Sequence, residues 1–175
     1  MHSIPNLELY ISKKKIEATV LELADQINKD YGEKKIVVIG ILKGAFIFMA
    51  DLLRHLDLDV EVDFIRLSSY GKNIESCGMV EIGDCSIENI KGRHILIVED
   101  IIDTGLTINA LIKYLRSKSP ASIKLCTFLD KPSRREVPVE IDYAGIEVPN
   151  RFIVGYGMDY NEKYRHLADI FFFKK

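Results

Sequence analysis

The stretch ILIVEDIIDTGLT, from Ile95 to Thr107, places Glu99, Asp100, Asp103, Thr104, Gly105 and Thr107 directly behind an apolar run. The apolar part reads as a strand, and Thr107 onward as the start of a helix. In open parallel sheets, ligands gather beyond the carboxyl ends of strands, which is where Glu99 and Asp100 are expected to arrive. A helix start offers unpaired N–H groups and a positive partial charge, so the turn from Thr104 to Thr107 can enclose a phosphate. Gly105 permits close approach there, and both threonine hydroxyls add donors. The two adjacent carboxylates would repel that phosphate unless sugar hydroxyls or a divalent cation occupied them. A sugar phosphate bound together with Mg²⁺ meets both demands. The same residues admit a plainer reading, in which Asp103 or Thr104 caps the helix and the acids face water.

Such groups need a frame that sets a strand end against a helix start. His94 to Val98 supplies the strand, and Thr107, Ile108, Leu111, Ile112 and Leu115 recur at helical spacing. Upstream, Ile16, Val20, Leu23, Ala24 and Ile27 predict an amphipathic helix over about Ser12 to Lys29, with Ser12 as N-cap. The β-branched run Ile36 to Ile39, closed by Gly40, predicts a strand buried on both faces. Ile41 to Lys43 then forms a short connection into a helix expected over Ala45 to Leu56. Further strands are expected at Asp59 to Leu67, Ile123 to Leu129, Tyr143 to Val148 and Phe152 to Val154. Ser68 to Ile90 is polar and long for a connector, and Gly78 to Ile82 could supply one strand of a hairpin within it. Strands interleaved with helices predict one α/β domain with a mainly parallel, doubly wound sheet.

Composition narrows the function classes. At 175 residues with a formal net charge of -2, the chain can bury one core and carries no basic excess to attract nucleic acid. The opening MHSIPNLELYISKKK lacks a basic segment followed by an apolar core, and no apolar run approaches the roughly 18 residues of a membrane span. No membrane partner and a cytoplasmic location are therefore expected. Cys77, Cys85 and Cys126 form no CxxC, and the four histidines lack metal-ligand spacing. No GxxxxGK[ST] or GxSxG occurs, and GYGMDY breaks GxGxxG at its last glycine, which removes kinase, hydrolase and dehydrogenase readings.

The string VEDIIDTGLT resembles the phosphoribosyl pyrophosphate signature of type I phosphoribosyltransferases, in their 6-oxopurine (hypoxanthine-guanine) branch. ILKGA at Ile41 to Ala45, RLSSYG at Arg66 to Gly71, LDKPSRR at Leu129 to Arg135 and VPNRFIVGYGMDYNEKYRHL at Val148 to Leu167 resemble further blocks of that branch, in its order. The resemblance implies transfer of a phosphoribosyl group to hypoxanthine or guanine, with Mg²⁺. It also implies a homodimer or homotetramer, a mobile loop or hairpin over 68–90, and a base-binding hood contributed from 130–175.

Residue roles follow from the same resemblance. Glu99 and Asp100 would hold the ribose hydroxyls with metal nearby, and Thr104, Gly105, Leu106 and Thr107 the 5′-phosphate. Leu106 stands where some relatives carry lysine, which leaves the backbone cradle but removes a cation. Asp103 would be the general base. Lys43, Gly44 and Arg165 would meet pyrophosphate, Lys43 beside a peptide bond that can be cis in relatives, and Asp159 would serve a second Mg²⁺. Lys131 would donate to the exocyclic oxygen of the base, which disfavours adenine. Phe152 would stack on the ring, Ile153 would add backbone contacts, and Ser69 and Tyr70 would lead the lid. A regulatory nucleotide sensor or RNA-binding attenuator on the same fold would need no base-directed acid at Asp103. A flavodoxin-like binding module would leave the cationic and aromatic blocks without a purpose.

Overall fold

The run Ile36–Leu42 is buried from Ile36 through Ile41, and its alternate residues feed two separate cores. Ile36 and Val38 join one, while Val37, Ile39 and Ile41 join the other. A strand covered on both faces must behave this way. The computed structural model describes residues 6–69, 80–82 and 90–174, leaving aside the side chains of 68, 69 and 80–82. In it the run is β2, β1 being Leu7–Ile11. The later strands are β3 (Val60–Ser69), β4 (Val80–Ile82), β5 (His94–Ile102), β6 (Ser122–Asp130), β7 (Tyr143–Glu147), β8 (Ile153–Val154) and β9 (Ile170–Phe173).

A six-stranded sheet has the order β4-β3-β2-β5-β6-β7. Its pairs are parallel except for β4, which runs antiparallel to the end of β3. Helices α1 (Lys13–Tyr31) and α2 (Phe46–Leu53) bury their apolar sides in the core on one face, and α3 (Leu106–Ser117) buries Ile108, Leu111 and Leu115 on the other. This is the expected doubly wound α/β arrangement. The five apolar residues that predicted α1 are all buried, and Ser12 caps it, its Oγ accepting from the Lys15 N–H at 3.4 Å.

Four boundaries differ from expectation. Helix α2 stops at Leu53, because the chain tightens into turns in which His55 N donates to the Leu52 carbonyl and Leu56 N to that of Leu53. Strand β2 continues through Ile41 and Leu42, paired with Ile65 and Arg66 of β3. Strand β5 runs on to Ile102 because its ladder with β6 continues to Ile102 opposite Asp130, so Glu99 and Asp100 lie inside the strand's last turns of pleat and not beyond its end. Strand β8 begins at Ile153, leaving Phe152 before it.

A second, antiparallel sheet of order β1-β9-β8 was not foreseen. It joins the two ends of the chain, with the Tyr10 and Phe172 rings stacked at 4.0 Å between centroids. Phe152 immediately precedes β8 of this sheet and lines the same cavities as Lys131, which follows β6. Among the described residues, no helix is long and apolar enough to cross a membrane.

Candidate active site

Where β2 ends, the Leu42–Lys43 peptide is cis and Gly44 follows. A Cβ on Gly44 would overlap the Asp100 carboxylate, so only glycine lets this loop lie against the acid. Gly157, at φ +100°, packs in turn onto the Gly44 carbonyl. Burial pushes the Asp100 carboxyl up to about 6, opposed by the amides of Asp100 and Ile101 and by Arg165, and reinforced by Asp159. Burial also holds Glu99 well above the usual carboxylate range, helped by the Asp100 charge and a hydrogen bond to it. The Glu99 Oε2 atom is buried without a hydrogen-bond partner. Two partly buried carboxylates, one with a buried unmatched oxygen, form a receptor for hydroxyl donors or a cation.

The turn after β5 is clamped from outside. The Thr104 carbonyl accepts from the Glu136 N–H at 2.9 Å and the Val137 N–H at 3.3 Å. Gly105 has φ +84°, and a Cβ there would stand 2.6 Å from Val139 Cγ2 and 3.0 Å from the Val137 carbonyl oxygen. Gly105 is the N-cap of α3 and no side chain caps the helix, so the plainer reading of Asp103 or Thr104 as the cap residue is corrected. Thr104 Oγ1 does accept from the Leu106 N–H, at 3.4 Å. The remaining first-turn amides have no carbonyl partner within the helix, the condition an anion site requires. Thr107 lies in that first turn, and the Leu106 side chain points away to solvent at 49% exposure.

Asp103 instead turns to Arg134, whose Nε donates to Oδ1 at 3.2 Å. Lys131 is only 8% exposed, and its N–H donates to the Ile102 carbonyl at 3.0 Å, which ties the end of β6 to the end of β5. A short 3-10 turn, Pro132–Arg134, follows and brings Arg134 round. Asp103, Lys131 and Phe152 line two adjoining cavities. The larger, of about 710 Å³, also meets Arg134 and Phe173, and the smaller, of about 240 Å³, also meets Asp100, Ile153 and Asp159. Phe152 is 48% exposed while Ile153 is 6% exposed, so Phe152 is not core packing. Its ring is held edge-on by Tyr160 at 5.6 Å and Phe173 at 6.2 Å. The Phe152 carbonyl is taken by the Phe173 N–H at 2.9 Å.

The two expected pyrophosphate cations converge on one acid. Lys43 Nζ lies 2.9 Å from Glu162 Oε2, and Arg165 Nη2 lies 3.5 Å from the same oxygen. Arg165 also pairs with Asp159 at 2.7 Å and donates to the Gly157 carbonyl at 2.7 Å. Tyr70 and the side chain of Ser69 lie outside the described residues, as does most of the 68–90 excursion. Arg134 and Glu162 are site residues that the spacing did not single out. Both sit inside the quoted blocks LDKPSRR and VPNRFIVGYGMDYNEKYRHL, which was the available signal. Among the described residues, no group of three or more His, Cys, Asp or Glu could hold a metal unaided.

With this geometry in hand, comparison with known proteins is informative. The family profile described as phosphoribosyl transferase domain matches residues 8–161. A hypoxanthine phosphoribosyltransferase of Haemophilus influenzae is 46% identical over 168 residues, covering 94% of each chain. A hypoxanthine-guanine phosphoribosyltransferase of Aquifex aeolicus is 45% identical over 166 residues, covering 94% of this chain and 93% of the relative. The crystal structure of a hypoxanthine phosphoribosyltransferase from Staphylococcus aureus superposes with a TM-score of 0.94 at 39% identity, covering 99% of this chain and 96% of that one.

Proposed function

The chain belongs to the phosphoribosyltransferase family, and on that premise we propose that it joins hypoxanthine, guanine or both to 5-phosphoribosyl 1-pyrophosphate, releasing pyrophosphate and IMP, GMP or both for purine salvage. The observation that carries this reading is the pair of adjoining cavities that share Asp103, Lys131 and Phe152. One has the ring, lysine and acid a 6-oxopurine needs; the other opens toward Asp100 and Asp159, where the sugar and its leaving group belong.

In the reaction a purine nitrogen bonds to the sugar's anomeric carbon as the bond from that carbon to pyrophosphate breaks. Asp103 takes the proton released from the purine imidazole nitrogen, which requires Arg134 to yield its place. Lys131, held nearly buried, donates to the exocyclic oxygen, a contact an exocyclic amino group could not accept. Phe152 stacks on the ring, and Ile153 adds backbone contacts. Thr104 to Thr107 hold the 5′-phosphate, and Glu99 and Asp100 hold the ribose diol. Fixing both ends of the sugar places the anomeric carbon in front of the base, and the surrounding fixed charges favour the cationic sugar that develops. Ser69 and Tyr70 belong to the proposed cover over this site.

The acids fit Mg²⁺. Glu99 has an unmatched buried oxygen, and the pair is short of positive charge. Magnesium is held by one or two carboxylates together with substrate oxygens, which matches the two acids at the strand, and Asp159 would serve a second ion. When bound, the ion neutralises charge on the departing pyrophosphate. One domain over 1–175, a homodimer or homotetramer and a cytoplasmic location complete the proposal.

A panel of hypoxanthine, guanine, xanthine, adenine and uracil, assayed with phosphoribosyl pyrophosphate and magnesium chloride, tests this. Turnover of hypoxanthine or guanine is expected, with none of adenine or uracil. Turnover confined to adenine or uracil would overturn the branch.

A further inference from the structure

Glu162 sits where a ligand's negative charge is expected. Its carboxylate oxygen lies 2.9 Å from Lys43 Nζ and 3.5 Å from Arg165 Nη2, bridging two cations carried by distant parts of the chain. The backbone beneath it is anchored. The Glu162 N–H donates to Asp159 Oδ2 at 2.8 Å, and Tyr160 pairs with Lys163 across the turn. The side chain is not anchored, for Glu162 is 65% exposed and reaches the cations through solvent. Arg165 is held independently of it by Asp159 and the Gly157 carbonyl, whereas the Lys43 ammonium, on the loop between β2 and α2, pairs with Glu162.

We propose that Glu162 is a displaceable internal anion that occupies the Lys43–Arg165 pair in the free protein and competes with pyrophosphate for it. Resting on the function proposed above, the inference adds a residue that sets the affinity of the leaving-group subsite. Exposed ion pairs are weak, so the carboxylate can be swung aside at small cost by a ligand carrying several charges. While in place it cancels much of the field that would draw that ligand in, and after displacement it still stands nearby as a like charge. Both effects act against pyrophosphate. Neither acts on a nucleoside monophosphate, whose phosphate belongs at the turn from Thr104 to Thr107.

The test is calorimetric titration of the full chain and of Glu162→Gln, each with inorganic pyrophosphate in magnesium chloride and separately with IMP. The substitution is expected to tighten pyrophosphate about 1.5-fold to fivefold, the worth of one exposed pair, while leaving IMP affinity unchanged. Equal or weaker pyrophosphate binding by the variant would overturn the inference, because Glu162 would then be organising the cations and not competing for them. A matching change in IMP affinity would also overturn it, marking a structural role. If the unaltered chain binds IMP but no pyrophosphate, the assignment of Lys43 and Arg165 in the proposed function fails first.

Discussion

At the residue scale, the chemistry turns on three acids in different surroundings. Asp103 faces the larger cavity and an arginine, so its expected task is to move one proton. Asp103→Asn keeps the shape and loses the base, and its kcat is expected to fall about 10² to 10⁴-fold with little change in base affinity, as measured by steady-state kinetics and equilibrium titration. Undiminished turnover would remove Asp103 from the role. Glu99 and Asp100 are instead partly buried and neither forms an ion pair among the described residues, although the Arg165 charge favours ionised Asp100. The folded value of about 6 for Asp100 lies above its ordinary 3.8, so the folded protein holds that proton more tightly than the unfolded chain does. The stability this group contributes is fully present below 3.8 and is lost as pH rises through about 6, and Glu99 shifts in the same direction. In chelator, Glu99→Gln is therefore expected to melt above the unaltered chain at pH 8, with the gap narrowing toward pH 4. A variant that melts lower at pH 8 would contradict the buried-charge account.

The acids and threonines were readable as an apolar strand running into a helix start, and Lys131 through the resemblance of the block LDKPSRR. The partners they choose were not. That Arg134 holds Asp103, and that Glu162 joins Lys43 to Arg165, depends on segments meeting in space, and no spacing in the chain encodes it.

At the element scale, the parts with a clear period were readable and those without it were not. β2 and the first half of β5 are unbroken apolar runs, and α1 and α3 repeat their buried residues every three or four positions. The expected extension of α2 to Leu56 took in a residue that does pack on the same core, but from the turn after the helix. β1 is only partly buried and has no clean alternation, and its partner β9 is at the far end of the chain, so their pairing left no local trace. The loop after β2 matters most for the site, because Gly44 leaves room for the Asp100 carboxylate. Gly44→Ala is expected to lower turnover about 10²-fold or more by displacing that acid, whereas Gly92→Ala, strained at φ +72° but placed before the opposite end of β5, should cost stability and leave the turnover of the folded protein unchanged. Equal activity in both variants, in the base-panel assay, would mean that the contact with Asp100 is unimportant.

At the scale of the whole molecule, one stack of rings ties the halves of the site together. Phe48 of α2, Phe128 of β6 and Tyr156 pack in sequence, each pair 5.1 Å between centroids. This core sets β6, which leads into Lys131, against the segment that carries Gly157, Asp159 and Arg165. The large sheet carries Glu99, Asp100 and the turn 104–107 at its end, and the small sheet sets Phe152 and Phe173 along the larger cavity. Only their meeting makes a site long enough for a sugar phosphate and a base at once. A crystal structure of the chain soaked with IMP tests that meeting most directly. The expected result is the phosphate on the amides of residues 104–107, the ribose diol on Glu99 and Asp100, and the purine between Lys131 and Phe152. A nucleotide lodged elsewhere, with that turn empty and neither acid touching the sugar, would contradict it.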